Sequence, residues 1–225
     1  MMRVLALETS TEYCSVAVWQ DGEVISQSVL AGQRHSELLL AMIDQVINEA
    51  GVKLTQLDGI AFGAGPGSFT GVRIACGVAQ GLALGASLPV LGVCTLQALA
   101  YDAGHEKIIA ALDARMDEIY FAAYRVQNGA WETVCEPTLC LPQNAPVLMG
   151  TDWYAAGSGF VAQGATLAAR FGKQLAGVNA TAIPQASAVA QLAAPMFATG
   201  QGMDAALAMP LYLRNKVALK TTERQ

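Results

Sequence analysis

Apolar residues gather in three short blocks over the first thirty positions, residues 3–8, 14–19 and 23–29, each with the length of a β-strand. Asp21-Gly22 separates the second from the third and predicts a hairpin, because glycine accepts the positive φ of a type I′ turn. The spacing then changes. Leu38, Leu39, Met42, Ile43, Val46 and Ile47 recur at helical spacing and predict a helix over residues 36–50, ended by Gly51. Residues 59–62 read as a short buried strand, followed by a helix over 70–84, a strand over 89–93 and a helix over 95–101. Three antiparallel-type strands followed by alternating helix and strand predict an α/β fold, a mixed sheet flanked by helices.

The pattern then partly restarts. Residues 107–113 and 118–126 predict a strand pair about the charged turn Ala114-Arg115-Met116-Asp117, and Asn128-Gly129 predicts a hairpin to a strand over 131–134. Residues 146–149 are a further strand candidate, and helices are expected at 161–170 and 186–198. The second half reads as an eroded copy of the first. This divides the chain near residue 104, into an N-terminal lobe of residues 1–104 and a C-terminal lobe of residues 105–225 ending in a basic tail.

Composition narrows the function classes. At 53% hydrophobic and 14% charged residues, the chain either buries a large core or has apolar surface covered by a partner. A net charge of −5 argues against a stand-alone nucleic-acid binder, so any RNA is expected to be reached through another subunit. Five cysteines, none in a Cys-x-x-Cys pair, read as reduced thiols, and Glu8 interrupts the first apolar stretch too early for a signal peptide. A cytoplasmic location is expected. Residues 74–101 carry no charge, but Gln80, Pro89, Gln97 and the glycines at 77, 81, 85 and 92 divide the run, so no membrane span is expected.

The strongest local signal is Gly65-Pro66-Gly67-Ser68-Phe69-Thr70-Gly71-Val72-Arg73, a glycine-rich turn between a strand and a helix. Such a turn can aim backbone N–H groups at an anion, or it can simply begin a tightly packed helix. Glu8-Thr9-Ser10-Thr11-Glu12 offers hydroxyls and carboxylates at the end of the first strand, either a phosphate-holding turn or a turn whose Ser and Thr satisfy local backbone groups. Glu8, Thr9, Ser10, Gly65, Gly67 and Ser68 are thus the candidate phosphate-binding set. Gly77, Gly81 and Gly85 recur every fourth residue of a helix where each disfavours it by about 1 kcal/mol relative to alanine. Close approach by another backbone explains them, from this chain's own sheet or helices or from another subunit. His35 and His105 lack a second histidine at metal-ligand spacing, so no metal site is expected, and Ser10, Ser15, Ser36 and Ser68 have no base beside them in sequence. The turn 113–118 is a functional loop at the lobe junction or a solvated hairpin with an Asp–Arg pair. Pro210-Leu211-Tyr212-Leu213-Arg214 precedes Lys216, Lys220 and Arg224, a tail able to touch RNA once a partner delivers it.

Five motifs in one order, Val4-Leu5-Ala6-Leu7-Glu8-Thr9-Ser10, His35-Ser36-Glu37, Gly65 through Arg73, Leu112-Asp113-Ala114-Arg115 and Pro210-x-Tyr212-Leu213-Arg214, resemble the TsaB (YeaZ) family across nearly the whole chain. The resemblance implies a two-lobed actin/Hsp70-like fold of the ribonuclease H-like class. It also implies a part in forming threonylcarbamoyl-adenosine next to the anticodon of tRNAs reading codons that begin with A. In that pathway the family is the non-catalytic partner of TsaD, which carries the metal, and the ATPase TsaE joins them; ATP and metal are expected on those subunits, with no cofactor on this chain alone. Where TsaD has Val-x-His-Leu-Glu-x-x-His, this chain has Val93-Cys94-Thr95-Leu96-Gln97-Ala98-Leu99, and Asp113-Ala114-Arg115 stands where the second phosphate loop is glycine-rich. Gly157-Ser158-Gly159 is the nearest candidate for an adenosine-binding Gly-Gly element.

Any phosphate site is therefore expected to be vestigial. The first long helix and the Gly77/Gly81/Gly85 helix are expected to form the TsaD-binding surface through His35, Leu39, Met42, Ile43, Val46, Arg73, Gly77, Gly81 and Gly85, with a homodimer on the same surface when TsaD is absent. The alternative is an autonomous enzyme of the actin-like superfamily, either an ATPase using Glu8, Thr9, Ser10 and Glu12 or a peptidase; a sugar or acetate kinase-like relative is a third.

Overall fold

The computed structural model describes residues 2–214, and the tail with Lys216, Lys220 and Arg224 lies outside them. Strands β1 (Arg3–Glu8), β2 (Tyr13–Gln20) and β3 (Glu23–Leu30) form an antiparallel meander, and its β2–β3 turn is Asp21-Gly22 with both residues at positive φ. Helix α1 (His35–Glu49) follows, then β4 (Gly59–Gly65), α2 (Phe69–Ala86), β5 (Val90–Cys94) and α3 (Thr95–Ala103). Strand β4 runs parallel to β1 and β5 parallel to β4, giving the order β3-β2-β1-β4-β5. The uncharged run 74–101 is thus divided among α2, β5 and α3. Helix α2 has the length and hydropathy of a membrane span, but it lays Ala75, Cys76, Ala79 and Ala83 into the core under the first sheet.

The second sheet repeats this topology. Strands β6 (Lys107–Asp113), β7 (Ile119–Gln127) and β8 (Ala130–Cys140) form a meander with Asn128-Gly129 at the β7–β8 turn, and β9 (Trp153–Ala156) and β10 (Leu175–Asn179) extend it in parallel, in the order β10-β9-β6-β7-β8. Between β9 and β10 lie α4 (Gly159–Ala162) and α5 (Gly164–Phe171), and α6 (Ala186–Ala198) follows β10. In the second sheet a 3-10 turn at Pro142–Asn144 and a loop stand where α1 stands in the first. The chain is an α/β protein of two related lobes with an actin-like fold.

Period-two alternation explains the layers. Leu5, Leu7, Val16, Val18, Ile60 and Phe62 face α1 and α2, while Val4, Ala6, Ala17, Ala61, Leu91 and Val93 face α6. With both faces covered, β4 is buried along its whole length. In the second sheet Ile109, Ala111 and Phe121 face α4 and α5, and Ile108, Ala110 and Leu112 face Leu96, Leu99 and Ala100 of α3.

Several expectations require correction. Helix α6, from the second half of the chain, covers the first sheet, and α3, from the first half, covers the second; the two helices touch and form the layer between the sheets. The lobes are therefore not the contiguous stretches 1–104 and 105–225, because a helix's apolar stripe identifies its buried face without identifying the sheet it covers. Residues 146–149 are a loop with Val147 76% and Met149 85% exposed, and Trp153–Ala156 supplies the strand. The helix expected at 161–170 breaks at Gln163, beside Gly164, where helix preference is weakest. Strand β8 runs on to Cys140, beyond the expected 131–134. The edge strand β10 escapes the pattern because Gly177 and Asn179 interrupt its apolar run.

Candidate functional site

The ends of β1 and β4 meet beneath the start of α2. There the glycine turn lies on the backbone that follows β1: Ser68 N–H donates to the Ser10 carbonyl (2.7 Å), and the Thr9 hydroxyl donates to the Gly71 carbonyl (2.7 Å). Side chains at Gly67 or Gly71 would overlap Ser10 or the Thr9 carbonyl, so glycine is required at both for close approach. The Ser68 hydroxyl caps α2 by accepting from Gly71 N–H (3.3 Å). Gly65 N–H donates to the Thr95 hydroxyl (3.1 Å), and Ser10 N–H to Glu8 Oε1 (2.6 Å). The amides of Ser10, Gly65, Ser68 and Gly71 are thereby all engaged within the chain. The structure brings the candidate set Glu8, Thr9, Ser10, Gly65, Gly67 and Ser68 together, but with four amides of this corner committed to internal acceptors.

Glu8 is buried beside Gly63, whose missing side chain makes room for its carboxylate, and the Thr95 hydroxyl donates to its Oε2 (3.4 Å). Burial pushes the Glu8 pKa up, partly offset by hydrogen bonds from Ser10, Thr95 and Thr9. Thr95 occupies the position where the family's catalytic relative was expected to carry a histidine. Here its hydroxyl ties the start of α3 to the ends of β1 and β4.

The second wall of the site is the β6–β7 turn. Between the lobes lies a cleft of about 1380 Å³ whose lining includes Ser10, Glu12, Ser68, Asp113, Arg115 and Tyr212. Asp113 pairs with Arg115 (3.1 Å), and Asp113 N–H donates to the Ser158 hydroxyl (3.1 Å). Side chains at Gly157 and Gly159 would overlap Ala111, so these two glycines pack against β6. Among the described residues no three of His, Cys, Asp and Glu gather as a metal site would require.

The expected partner-binding residues separate into two groups. His35, Leu39, Met42, Ile43 and Val46 are buried in the chain's own core, and His35 Nε2 donates to the Tyr13 carbonyl (3.1 Å). They are corrected from contact residues to core residues: the apolar stripe that revealed α1 is the face that packs on the sheet. Arg73, Gly77, Gly81 and Gly85 instead form an exposed row along α2, and side chains at the three glycines would meet nothing within 4 Å among the described residues. No described residue of this chain supplies a close approach that would require those glycines. Sequence reasoning missed Leu40 (57% exposed) on α1, Leu84 (61%) on α2 and Phe69 (45%) at the start of α2, where the Arg73 guanidinium lies 3.2 Å from the ring centroid. Leu40, outside the α1 stripe of Leu39, Met42, Ile43 and Val46, was the available signal.

The family model for TsaD, tRNA N6-adenosine threonylcarbamoyltransferase, matches residues 23–220. The chain is similar to component A of the (R)-2-hydroxyglutaryl-CoA dehydratase of Acidaminococcus fermentans in fold alone, at 11% identity and a TM-score of 0.51 over 88% of this chain and 100% of that one. These likenesses define the class, a two-lobed actin-like protein related to the transferase. Two further comparisons are much nearer. The tRNA threonylcarbamoyladenosine biosynthesis protein TsaB of Escherichia coli K12 is 41% identical over 234 residues, 97% of each chain, and YeaZ from Pseudomonas aeruginosa is 39% identical with a TM-score of 0.85, over 95% of this chain and 100% of that one. The chain belongs to the TsaB (YeaZ) family.

Two measurements follow from this geometry. Because its pKa is raised, Glu8 holds its proton more tightly in the folded chain, so stability is greatest below the ordinary carboxylate pKa and falls as pH rises through the raised one. Glu8→Gln is expected to flatten that slope in urea unfolding across the same pH range. Gly81→Ala is expected to stabilise the isolated chain by about 1 kcal/mol, since the site is exposed, helical and open, and a fall in the urea midpoint would contradict the open geometry.

Proposed function

We propose that this chain takes part in tRNA threonylcarbamoyladenosine formation as a non-catalytic scaffold and activator. It binds and stabilises TsaD and helps recruit the ATPase TsaE, and the complex modifies the adenosine next to the anticodon of tRNAs that read codons beginning with A. ATP and metal belong to the partner subunits, tRNA is reached through the complex, and the assembly is cytoplasmic. The observation that carries the reading is the exposed row Gly77, Gly81 and Gly85 on α2, beside Arg73, whose glycines weaken an isolated helix and meet no neighbour among the described residues. A second backbone seated on that row explains it, from TsaD or, without TsaD, from another copy of the chain. The engaged amides of the glycine corner support the non-catalytic part, since an anion there would compete with bonds already made.

The size of the interlobe cleft favours one rival, an ATPase acting by itself. Titration calorimetry of the purified chain with ATP and magnesium separates the two: the scaffold reading expects no binding up to millimolar nucleotide, and tight binding overturns it. Gly81→Trp tests the surface. The variant is expected to keep its fold and lose TsaD affinity by at least about thirtyfold, the scale of a central interface residue, with a parallel loss of tRNA modification in a reconstituted system. Unchanged TsaD binding by a folded variant would remove α2 from the interface.

A further inference from the structure

Pro210-Leu211-Tyr212-Leu213-Arg214 is a sequence motif that the proposed function does not use, and in the structure it crosses from one lobe to the other. Its first contact is with the end of β4, where Leu211 N–H donates to the Ala64 carbonyl (2.7 Å). The Leu211 carbonyl lies 3.1 Å from where a side chain on Gly65 would begin, so the glycine lets the segment lie against the strand end. The second contact is aromatic. Tyr212 sits 6.3 Å from Phe69 between ring centroids, and the Arg73 guanidinium lies over both rings while donating to the Phe69 carbonyl (2.9 Å).

The third contact is in the other lobe. Arg214 Nη2 pairs with Glu118 Oε2 (2.7 Å) and donates to the Ala114 carbonyl (3.0 Å), and Nη1 lies 3.1 Å from Met116 Sδ. The arginine side chain is only 16% exposed, so the pair is partly shielded from water and stronger than a surface bridge. The turn it grips is unusual: Arg115, Met116 and Asp117 have φ of +61°, +55° and +58° in succession, a left-handed run that side chains disfavour. Within the turn, Ala114 N–H donates to the Glu118 carbonyl, Glu118 N–H to the Arg115 carbonyl and Arg115 N–H to Asp113 Oδ1, and Arg214 closes it from outside.

We propose that residues 211–214 are an interlobe latch, anchored on β4 and the start of α2, which holds the β6–β7 turn in its left-handed form and so shapes one wall of the cleft. Arg214 is its positioning residue. The latch joins Phe69 and Arg73, at the exposed start of α2, to a turn in the opposite lobe. A partner seated on that helix start would therefore bear on the cleft wall; this consequence rests on the partner-docking reading, whereas the latch does not.

Hydrogen exchange of the isolated full chain, followed by mass spectrometry, tests the latch without any partner. Arg214→Ala is expected to speed exchange across residues 112–119 by about tenfold or more, as for loss of a charged hydrogen bond, with β1 and β4 unchanged. Arg214→Lys, which keeps the charge but cannot make the forked contact, is expected to fall between it and the parent chain. The deciding variants lie on the other lobe's side. Leu211→Pro removes the N–H that bonds Ala64, and Tyr212→Ala removes the ring on Phe69; the hydrogen bonds and ion pair that hold the 114–118 turn among the described residues involve neither side chain, yet each variant is expected to speed exchange at 112–119. Should Leu211→Pro fail to fold, Tyr212→Ala carries the same test. The latch is overturned by parent-like exchange at 112–119 in Arg214→Ala, or by a response to Arg214→Ala that neither first-lobe variant reproduces, because Arg214 would then be a local staple.

Discussion

The turn between β4 and α2 can lie on the end of β1 only because Gly67 and Gly71 have no side chains to keep it away. From that contact the hydrogen bonds Ser68 to Ser10 and Thr9 to Gly71 follow, and with them the direction in which α2 leaves the sheet. Thr95, bonded to Glu8 and to Gly65 N–H, extends the same corner to the start of α3. Two strand ends and two helix starts are therefore joined by polar bonds, those of Glu8, Thr9 and Thr95 in a buried place, where an unpaired donor or acceptor is expensive. An anion-binding loop needs its amides free. Here the glycine pattern is kept while the amides of Ser10, Gly65, Ser68 and Gly71 turn inward.

Because α2 is oriented by this corner, its two faces have different fates. Alanines 75, 79 and 83 give the sheet a smooth, close-packed side, and on the outward side Gly77, Gly81 and Gly85 face open space among the described residues while Arg73 lies over Phe69 and Tyr212. Helix α1 differs, since its apolar stripe is engaged by the sheet while Leu40 stays exposed. The surface the two helices present is consequently small-residued on α2 and set by single exposed side chains on α1.

The second lobe repeats the first sheet's topology with fewer helices around it. Its sheet keeps all five strands in the order of the first, but α1 has no counterpart and the helix between β9 and β10 is broken. What the lobe keeps is the wall of the cleft, a charged left-handed turn closed by Arg214 from the far end of the described chain. The helices α3 and α6 are exchanged between the lobes and pack on each other, so the lobes share a layer as well as a cleft.

Much of this was legible in the sequence wherever the information is local. The Asp21-Gly22 and Asn128-Gly129 hairpins, the α1 stripe, the bounds of α6 and the glycine turn rest on φ preferences and on periods of two and 3.6 residues, which act over a few neighbours. The five ordered motifs also identified the family, because they span nearly the whole chain. What lay beyond the sequence was every question of what faces what. The stripe containing Leu39, Met42, Ile43 and Val46 could not say whether its cover was this chain's sheet or a partner, and Gly77, Gly81 and Gly85 posed the same question with the opposite answer. Nor could the sequence place Arg214 a hundred residues away on Ala114, or α6 on the first sheet. Periodicity and turn chemistry are properties of neighbouring residues, whereas burial, an engaged amide and an interlobe contact exist only once distant segments have packed.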